Sequence, residues 1–529
     1  MISLMKMAYM SMQREIFSAL SFAISKGYQI HPDAFAMLKG LDIDTLKVVQ
    51  DIVKIKIKHR LSSSIVVEDI KNLINTEGKT TGVNNFSNTI LSATTTISDV
   101  NHTAEYSHKV IFDPTSNINS GEGVKGYTAL FRSRFEKLLR IIALRPDSKR
   151  ITKITSIKHK SNNTKLRKRY DMNGDANTNS SVIVGLLMSK RSKKNGLEMV
   201  IDDYSGILSV LAVTEDLKKQ ASMLTLDQMI MLEVDNINKK GTQGFVVRNL
   251  VSPDIPDHLP NRSKSESYAV LISDLHVGSK YFLEVEFLRF LDWLSSTDDE
   301  IVNKIKFVCI GGDLIDGIGI FPNQEKELIE MNASEQMSHA ADLLAKIPQH
   351  IKVFIIPGNH DPGRRALPQP ALPREYSNKL YSFENFTMLG NPSLVELNGV
   401  KILMYHGQSL DDIIATTPGL SYSKPAEAMK ILLKARHLSP IYGERTPIGP
   451  ELEDMMVITE VPDILHSGHV HNIDVQNYRG TLIVNSGAWQ AQTKYQQMMG
   501  IIPSPGIAIV VNLANLQPFQ MNFNQPNPT

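Results

Sequence analysis

The chain has 529 residues, 42% of them hydrophobic and 21% charged, with a net charge of +2 and one cysteine. A length of this order holds roughly two to four domains. The single cysteine excludes a disulfide framework and suits a reducing compartment, and no run reaches the roughly 18–20 apolar residues that a membrane span requires.

The first residues scatter methionines without the apolar core of a signal peptide, so a cytoplasmic protein is expected. Residues 1–75 read as a small helical module. Ile16, Phe17, Leu20 and Ile24 share one helical face, and Gly27 is placed to stop that helix. Pro32 opens a second helix carrying Phe35 and Leu38, and Ile65 to Ile74 suggests a third. Residues 76–125 turn rich in Thr, Ser, Asn and Gly. So little apolar surface cannot offset the entropy of ordering, and a flexible linker is expected there.

A domain is expected over 126–265, led by an amphipathic helix through Phe131, Phe135, Leu138 and Ile142. Between Arg145 and Tyr170 lie ten Lys or Arg residues against one acid, Asp147. A charge run of this kind is most often a solvated loop. Beside a site that cuts phosphodiesters it becomes a candidate backbone contact, with Lys165, Arg167, Lys168 and Arg169 at its densest point. Strands follow at Val182–Met188, Leu197–Ile201, Ile207–Val213, Met229–Val234 and Phe245–Val247, with a helix expected around Leu226. Five strands and one interposed helix match a small barrel of the oligonucleotide-binding type, or OB-fold. Residues 266–529 alternate strand and helix, which predicts an α/β domain with ligands outside the carboxyl ends of its strands. Cys309, inside the apolar run Phe307–Ile310, reads as a buried small hydrophobe.

Five short segments of this last domain carry the chemistry. They are Ser-Asp274-Leu-His276, Gly-Gly-Asp313-Leu-Ile-Asp316-Gly, Pro-Gly-Asn359-His360-Asp361, Tyr-His406-Gly and Ser-Gly-His469-Val-His471. Each follows or ends a β-branched apolar run, so each is expected at a strand end. Hydrolysing a phosphodiester needs an activated hydroxide and neutralisation of the phosphoryl oxygens. Two divalent cations about 3.5–4 Å apart can supply both, held by carboxylate and amide oxygens and neutral imidazoles. Any one of these histidines alone is more often a satisfied polar residue, as His437 and His159 are expected to be. The five segments together are not explained that way.

The segments resemble the signature of the calcineurin-like metallophosphoesterases, which implies a two-sheet αββα sandwich. By that resemblance one metal would take Asp274, His276 and His471, the other Asn359, His406 and His469, and Asp313 would bridge them. His360 would protonate the leaving oxygen and Asp316 would orient it, with Asp361 and His466 as supporting groups behind the ligands. A barrel ahead of such a domain resembles the small (B) subunits of replicative DNA polymerases. The flanks of the segments are most similar to the archaeal D-family members, which keep the metal ligands. What the resemblance implies is a nucleoid-associated subunit of a multidomain α+β kind. It would carry a 3′→5′ proofreading exonuclease using manganese or magnesium on single-stranded or frayed 3′ DNA ends. A large catalytic polymerase subunit would be its partner. A sliding clamp is a further partner for which the tail Gln517–Phe523 is only a loose match. Gln408 stands where many relatives have a basic residue, and is a candidate DNA contact. A stand-alone repair nuclease of the same class, a small-molecule phosphatase, which would need neither the barrel nor the basic stretch, and a non-catalytic scaffold subunit are the alternatives.

Overall fold

The computed structural model describes residues 19, 22–23, 29–30, 37–38, 45–59, 64–65 and 70, then 106–158, 180–239 and 242–524. It divides into two compact units, Met1–Thr103 and Ala104–Thr529. In the first, a helix at Thr45–His59 buries Val49, Ile52 and Val53 with Ala19, Ala23, Leu38 and Ile70. Gln29–Ile30 pairs in parallel with Ser64–Ile65. Ile65 is therefore in a strand rather than at the start of the expected third helix. Most of the first two expected helices lies outside the described residues, as does 76–105 of the expected linker.

The second unit contains a barrel and a sandwich. The barrel strands are β2 (Ser180–Lys193), β3 (Gly196–Asp202), β4 (Ile207–Ala212), β5 (Met229–Lys239) and β6 (Thr242–Val251), closed in the order β2-β3-β4-β6-β5. Closure leaves no unpaired edge. Alternation along β2 sends Ile183 and Leu187 into the barrel core, while Val184 and Leu186 face outward. The outward pair packs on Leu138 and Ile142 of helix α1 (Gly123–Ala143). Between β4 and β5 lies helix α2 (Glu215–Ser222), earlier than the helix expected around Leu226. Its start is set by Thr214, whose side chain accepts from Leu217 N, with Glu215 and Asp216 in the first turn.

The sandwich has two six-stranded sheets. The first runs β10 (Phe386–Met388), β9 (Lys352–Ile355), β8 (Ile305–Ile310), β7 (Tyr268–Ile272), β16 (Ile507–Asn512), β17 (Gln517–Asn522). From β10 to β7 the neighbours are parallel. The second runs β14 (Asp474–Tyr478), β15 (Thr481–Asn485), β13 (Ile464–Ser467), β12 (Val400–Met404), β11 (Ser393–Leu397), β1 (His108–Phe112). Period-two alternation divides β7 cleanly. Ala269 and Leu271 meet Ile402, Met404 and Val484 between the sheets, while Val270 and Ile272 meet Phe287, Phe290 and Leu294 of α3 (Glu284–Leu294) outside. The far face of the second sheet is covered by α5 (Leu410–Thr416) and α6 (Pro425–Ala435) through Ile413, Met429 and Leu432, while α4 (Ala333–Leu344) joins α3 over the first. The layers are helix, sheet, sheet, helix. Cys309 is buried between the sheets, and burial pushes its thiol up to about 12.

Two expectations need correction here. Residues 108–112 are not linker: they form edge strand β1, pairing antiparallel with β11 from Leu397↔His108 to Leu394↔Phe112. The run Val110-Ile-Phe112 is short, and an edge strand takes its register from the sheet it joins. The tail Gln517–Phe523 is also committed, as β17 and a buried Phe523 against Trp293 and Trp489. It is therefore part of the first sheet and not a free tail.

Candidate metal centre

Each of the five segments begins where a strand ends: after Ile272, Ile310, Ile355, Met404 and Ser467. The backbone then turns in a way L-residues seldom adopt. Asp274, His276, Asp313, His469 and His471 have φ of 56°, 54°, 52°, 67° and 62°. Left-handed conformations at non-glycine residues cost on the order of 1–3 kcal/mol each and concentrate where function needs a fixed side-chain direction. The motif glycines have a related cause. A Cβ on Gly358 would lie 2.0 Å from Asp313 Oδ1, and one on Gly468 would lie 2.3 Å from Asp274 Oδ2. The carboxylates pack on bare backbone.

The donor atoms converge. Asp274 Oδ1 is 3.4 Å from His471 Nε2 and 3.9 Å from His276 Nε2, and those two nitrogens are 3.1 Å apart. Asp313 Oδ2 lies between this group and the next, 3.8 Å from His276 Nε2 and 3.3 Å from His406 Nε2. Asn359 Oδ1 is 3.0 Å from His406 Nε2, and His469 joins Asp313 and His406 within 4.8 Å. Asp274 Oδ1 is buried and accepts no hydrogen bond. An orphaned carboxylate oxygen among converging imidazole nitrogens is what a divalent cation satisfies, and this set of hard oxygens and imidazoles fits one.

Three of the outer ring nitrogens are hydrogen-bonded, and that of His276 lies within ion-pair range of Asp316 without a hydrogen bond. His406 Nδ1 donates to Gly311 O at 2.7 Å, His276 Nδ1 is 3.1 Å from Asp316 Oδ1, His469 Nε2 is 3.2 Å from Asp411 Oδ2, and His471 Nδ1 is 2.8 Å from Gln496 Nε2. Such contacts decide which nitrogen faces the cluster. Burial would raise Asp274, but His471 and His406 take its carboxyl down to about 2. Asp313 is held well below the usual carboxylate range against burial by His406, His360 and His276. Burial likewise opposes protonation of His276 and His406. Asp316 and Asp313 for the first, and Asp313 and Asp274 for the second, carry both up to about 9. Burial lowers His471 and His360.

The supporting residues differ from expectation in detail. His360 is half-buried beside the cluster, its ring edge-on to His276 at 4.7 Å. Its Nδ1 donates to the main-chain carbonyl of Asp316 at 2.7 Å. The Asp316 carboxylate itself is turned to His276 and is steadied by Gln324 and Gln490, each at 2.9 Å. The side chain thus orients a cluster histidine, and only the backbone of Asp316 orients His360. Asp361 accepts from Leu314 N and Gly358 N, both at 2.9 Å, stitching two of the turns together. Burial and the Asp313 charge push its carboxyl up to about 7. His466 lies behind Gly311 with Nε2 2.7 Å from Ser486 Oγ, and burial pulls it down to about 3.

Gln408 is corrected outright. It is buried in an amide network, accepting from Asn391 Nδ2 and donating to Gln369 Oε1, each at 3.3 Å. Asn391 in turn receives His406 N at 3.1 Å, so Gln408 braces a cluster residue and cannot reach DNA. Lys165, Arg167, Lys168 and Arg169 lie outside the described residues. Sequence reasoning misses Asp411 and Gln496. An acid five residues past His406, in the first turn of α5, is the available signal for the first.

A cavity of about 370 Å³ opens over the cluster, with His276, Asp313, His360 and His469 in its floor and Phe321, Tyr422 and Tyr495 in its walls.

Residues 269–472 match the family model for the B-type subunits of DNA polymerases alpha and epsilon. Curated relatives named DNA polymerase II small subunit include one from Archaeoglobus fulgidus, 39% identical over 75% of this chain and 77% of its own. The Methanothermobacter thermautotrophicus protein is 36% identical over 77% of this chain and 82% of its own. The match to the Pyrococcus abyssi protein is 38% identical and spans 74% of this chain but 61% of that relative's length. Among solved structures, an archaeal phosphodiesterase covers 48% of this chain and 98% of its own at 12% identity, with a TM-score of 0.24, too low to carry an argument. On the identity and coverage of the first two relatives, the chain belongs to the DNA polymerase II small subunit family.

Proposed function

We propose that the chain is the small subunit of a D-family DNA polymerase and carries a two-metal 3′→5′ exonuclease in a metallophosphoesterase domain over 266–529. The observation that carries this reading is the convergence of two adjoining donor groups, Asp274, His276 and His471 about an orphaned carboxylate oxygen and Asn359, His406 and His469 beside Asp313. In the reading, Asp274, His276 and His471 hold one cation, Asn359, His406 and His469 hold another, and Asp313 lies between them. Bound there, manganese or magnesium would supply neutralisation of the phosphoryl oxygens and activation of the attacking water.

The chain's own residues do the rest. Asp316, Asp411 and the Gly311 carbonyl fix the outer nitrogens of three ligand rings, so the inner nitrogens are presented without reorganisation. His360, tied by Nδ1–H to a carbonyl, gives a proton from Nε2 to the leaving 3′ oxygen only as an imidazolium, a form that burial opposes and the Asp313 charge favours. The closed barrel, with strand order β2-β3-β4-β6-β5 and a helix between β4 and β5, supports an OB-type domain over 126–265. It would track a single strand or dock a large catalytic subunit, to which the polymerase activity would belong.

The test is release of mononucleotides from 3′-labelled single-stranded DNA with manganese or magnesium. Activity that survives unchanged in both Asp313→Ala and His360→Ala would sink the nuclease reading. Failure to co-purify with a large polymerase chain from native extract would sink the subunit reading separately.

A further inference from the structure

The cavity over the donor cluster has two chemistries. Its floor is carboxylate and imidazole, and its walls include Phe321, Tyr422, Tyr495, Met499 and Ile501. Two of these wall residues are markedly exposed, Tyr495 at 54% and Met499 at 49%. Large apolar side chains bared to water beside a polar floor mark a place where a ligand is meant to cover them.

Both tyrosines are keyed to the paired histidines of the last motif. Tyr495 precedes Gln496, whose amide is 2.8 Å from His471 Nδ1 and whose backbone is fixed by the Thr493 capping box. The hydroxyl of Tyr422 faces Asp411, which holds His469 Nε2 at 3.2 Å. The aromatic wall is therefore built in fixed register with the atoms that would grip a phosphate.

We propose that Tyr422, Tyr495, Phe321 and Met499 form a seat for one unpaired base of the nucleotide whose phosphate lies over the donor cluster. This rests on the phosphodiesterase reading above and assigns named side chains to the preference for unpaired ends which that reading carries. The site takes a strand end whose base is free to leave its partner, and discriminates against paired ends and base-free diesters. Stacking on an aromatic ring is sequence-tolerant because every base has a π-face, so the seat selects for an unpaired base and not for its identity.

Two measurements on the full chain test it. With calcium in place of a turnover metal, a single-stranded oligonucleotide ending in 2-aminopurine is titrated. Wild type quenches the terminal fluorescence, Tyr495→Ala loses the quench, Tyr495→Phe retains it, and Met499→Ala weakens it. With manganese, wild type prefers a normal 3′ end over an abasic one by about tenfold or more in kcat/KM, the range that one stacked base supports. Tyr495→Ala cleaves both at the abasic rate. An equal quench in wild type and Tyr495→Ala, or no quench in wild type, overturns the seat. A Tyr495-dependent quench without any cleavage keeps the seat and overturns the nuclease reading instead.

Discussion

Two buried clusters of carboxylate and imidazole lie in the same unit, and they are built to opposite ends. Around Asp454 both carboxylate oxygens and both His437 ring nitrogens are paired, although Arg134 Nη2 is left without a partner. Asp454 Oδ2 takes Arg134 Nε at 2.8 Å and His437 Nε2 at 3.0 Å, its Oδ1 takes Met456 N at 2.9 Å, and His437 Nδ1 takes Ser439 N at 3.0 Å. Around Asp313 the bonding is open. Inner imidazole nitrogens face one another and carboxylates, and Asp274 Oδ1 has no donor. The difference lies in the cation. At Asp454 the chain supplies its own in Arg134, so His437 stays neutral, lowered by burial and Arg134 to about 4. At Asp313 no arginine or lysine among the described residues enters, and His276 and His406 are drawn up to about 9. A buried histidine with its charge balanced holds two segments together. A buried cluster with an excess of acid has the charge and donors that suit a divalent cation.

That contrast is broken hardest by exchanging one carboxylate in each cluster. Asp313→Asn keeps the shape of the side chain, and the exonuclease activity proposed above is expected to fall on the order of 10³-fold. The rise in melting temperature on adding manganese should shrink or vanish, while the metal-free protein melts within a few degrees of wild type. Asp454→Ala should do the reverse. It strands the buried Arg134 guanidinium and is expected to cost about 3–5 kcal/mol in denaturant unfolding, with kcat per folded molecule unchanged. If Asp454→Ala lost activity at full stability, the two clusters would not be separable.

How much of this is legible in the sequence depends on whether a feature is local. The strand ends are legible because apolar runs carrying Val270, Ile272, Val308 and Ile310 stop at Ser273 and Gly311. The α3 span Glu284–Leu294 is legible because its apolar residues recur at helical spacing. The convergence of the ligand residues follows from motif order. The directions of the side chains do not. Whether Asp316 presents its carboxylate to His276 or to His360 is decided by the left-handed turn at Asp313 and by Gln324 and Gln490, which no spacing rule connects. Gln408 reads as a surface residue because Gln is usually exposed. It is inside because Gln369 and Asn391, distant in sequence, satisfy its amide. Edge strand β1 is hidden by the polar composition around it.

A smaller exchange sharpens the point that outer contacts set up the open cluster. Asp411→Asn removes the charge facing His469 Nε2 without changing its size. Partners of this kind are typically worth about 10–100-fold in metal affinity or activity. Manganese titration followed by calorimetry should show one of two binding steps weakened, with the other kept. Weakening of both steps equally would mean that Asp411 acts on the whole cavity.

The mildest probe is pH, and it should move the two clusters in opposite directions. His437 is depressed from 6.5 to about 4 in the fold, so the unfolded chain binds its proton more readily. Its contribution to stability is complete above pH 6.5 and is lost as pH falls toward 4. His276 and His406 are raised to about 9, so in the metal-free protein their contribution is complete below pH 6.5 and is lost as pH rises toward 9. A metal must displace those protons, since an imidazole binds metal only when neutral. Apparent manganese affinity should therefore tighten about tenfold per pH unit for each proton released between about pH 7 and 9, and flatten above that. Calorimetry in two buffers of different ionisation enthalpy reads the proton count directly. Affinity that levels off near about pH 6.5 would mean that the carboxylates do not hold these histidines charged, and the excess acid that distinguishes the open cluster would have no consequence.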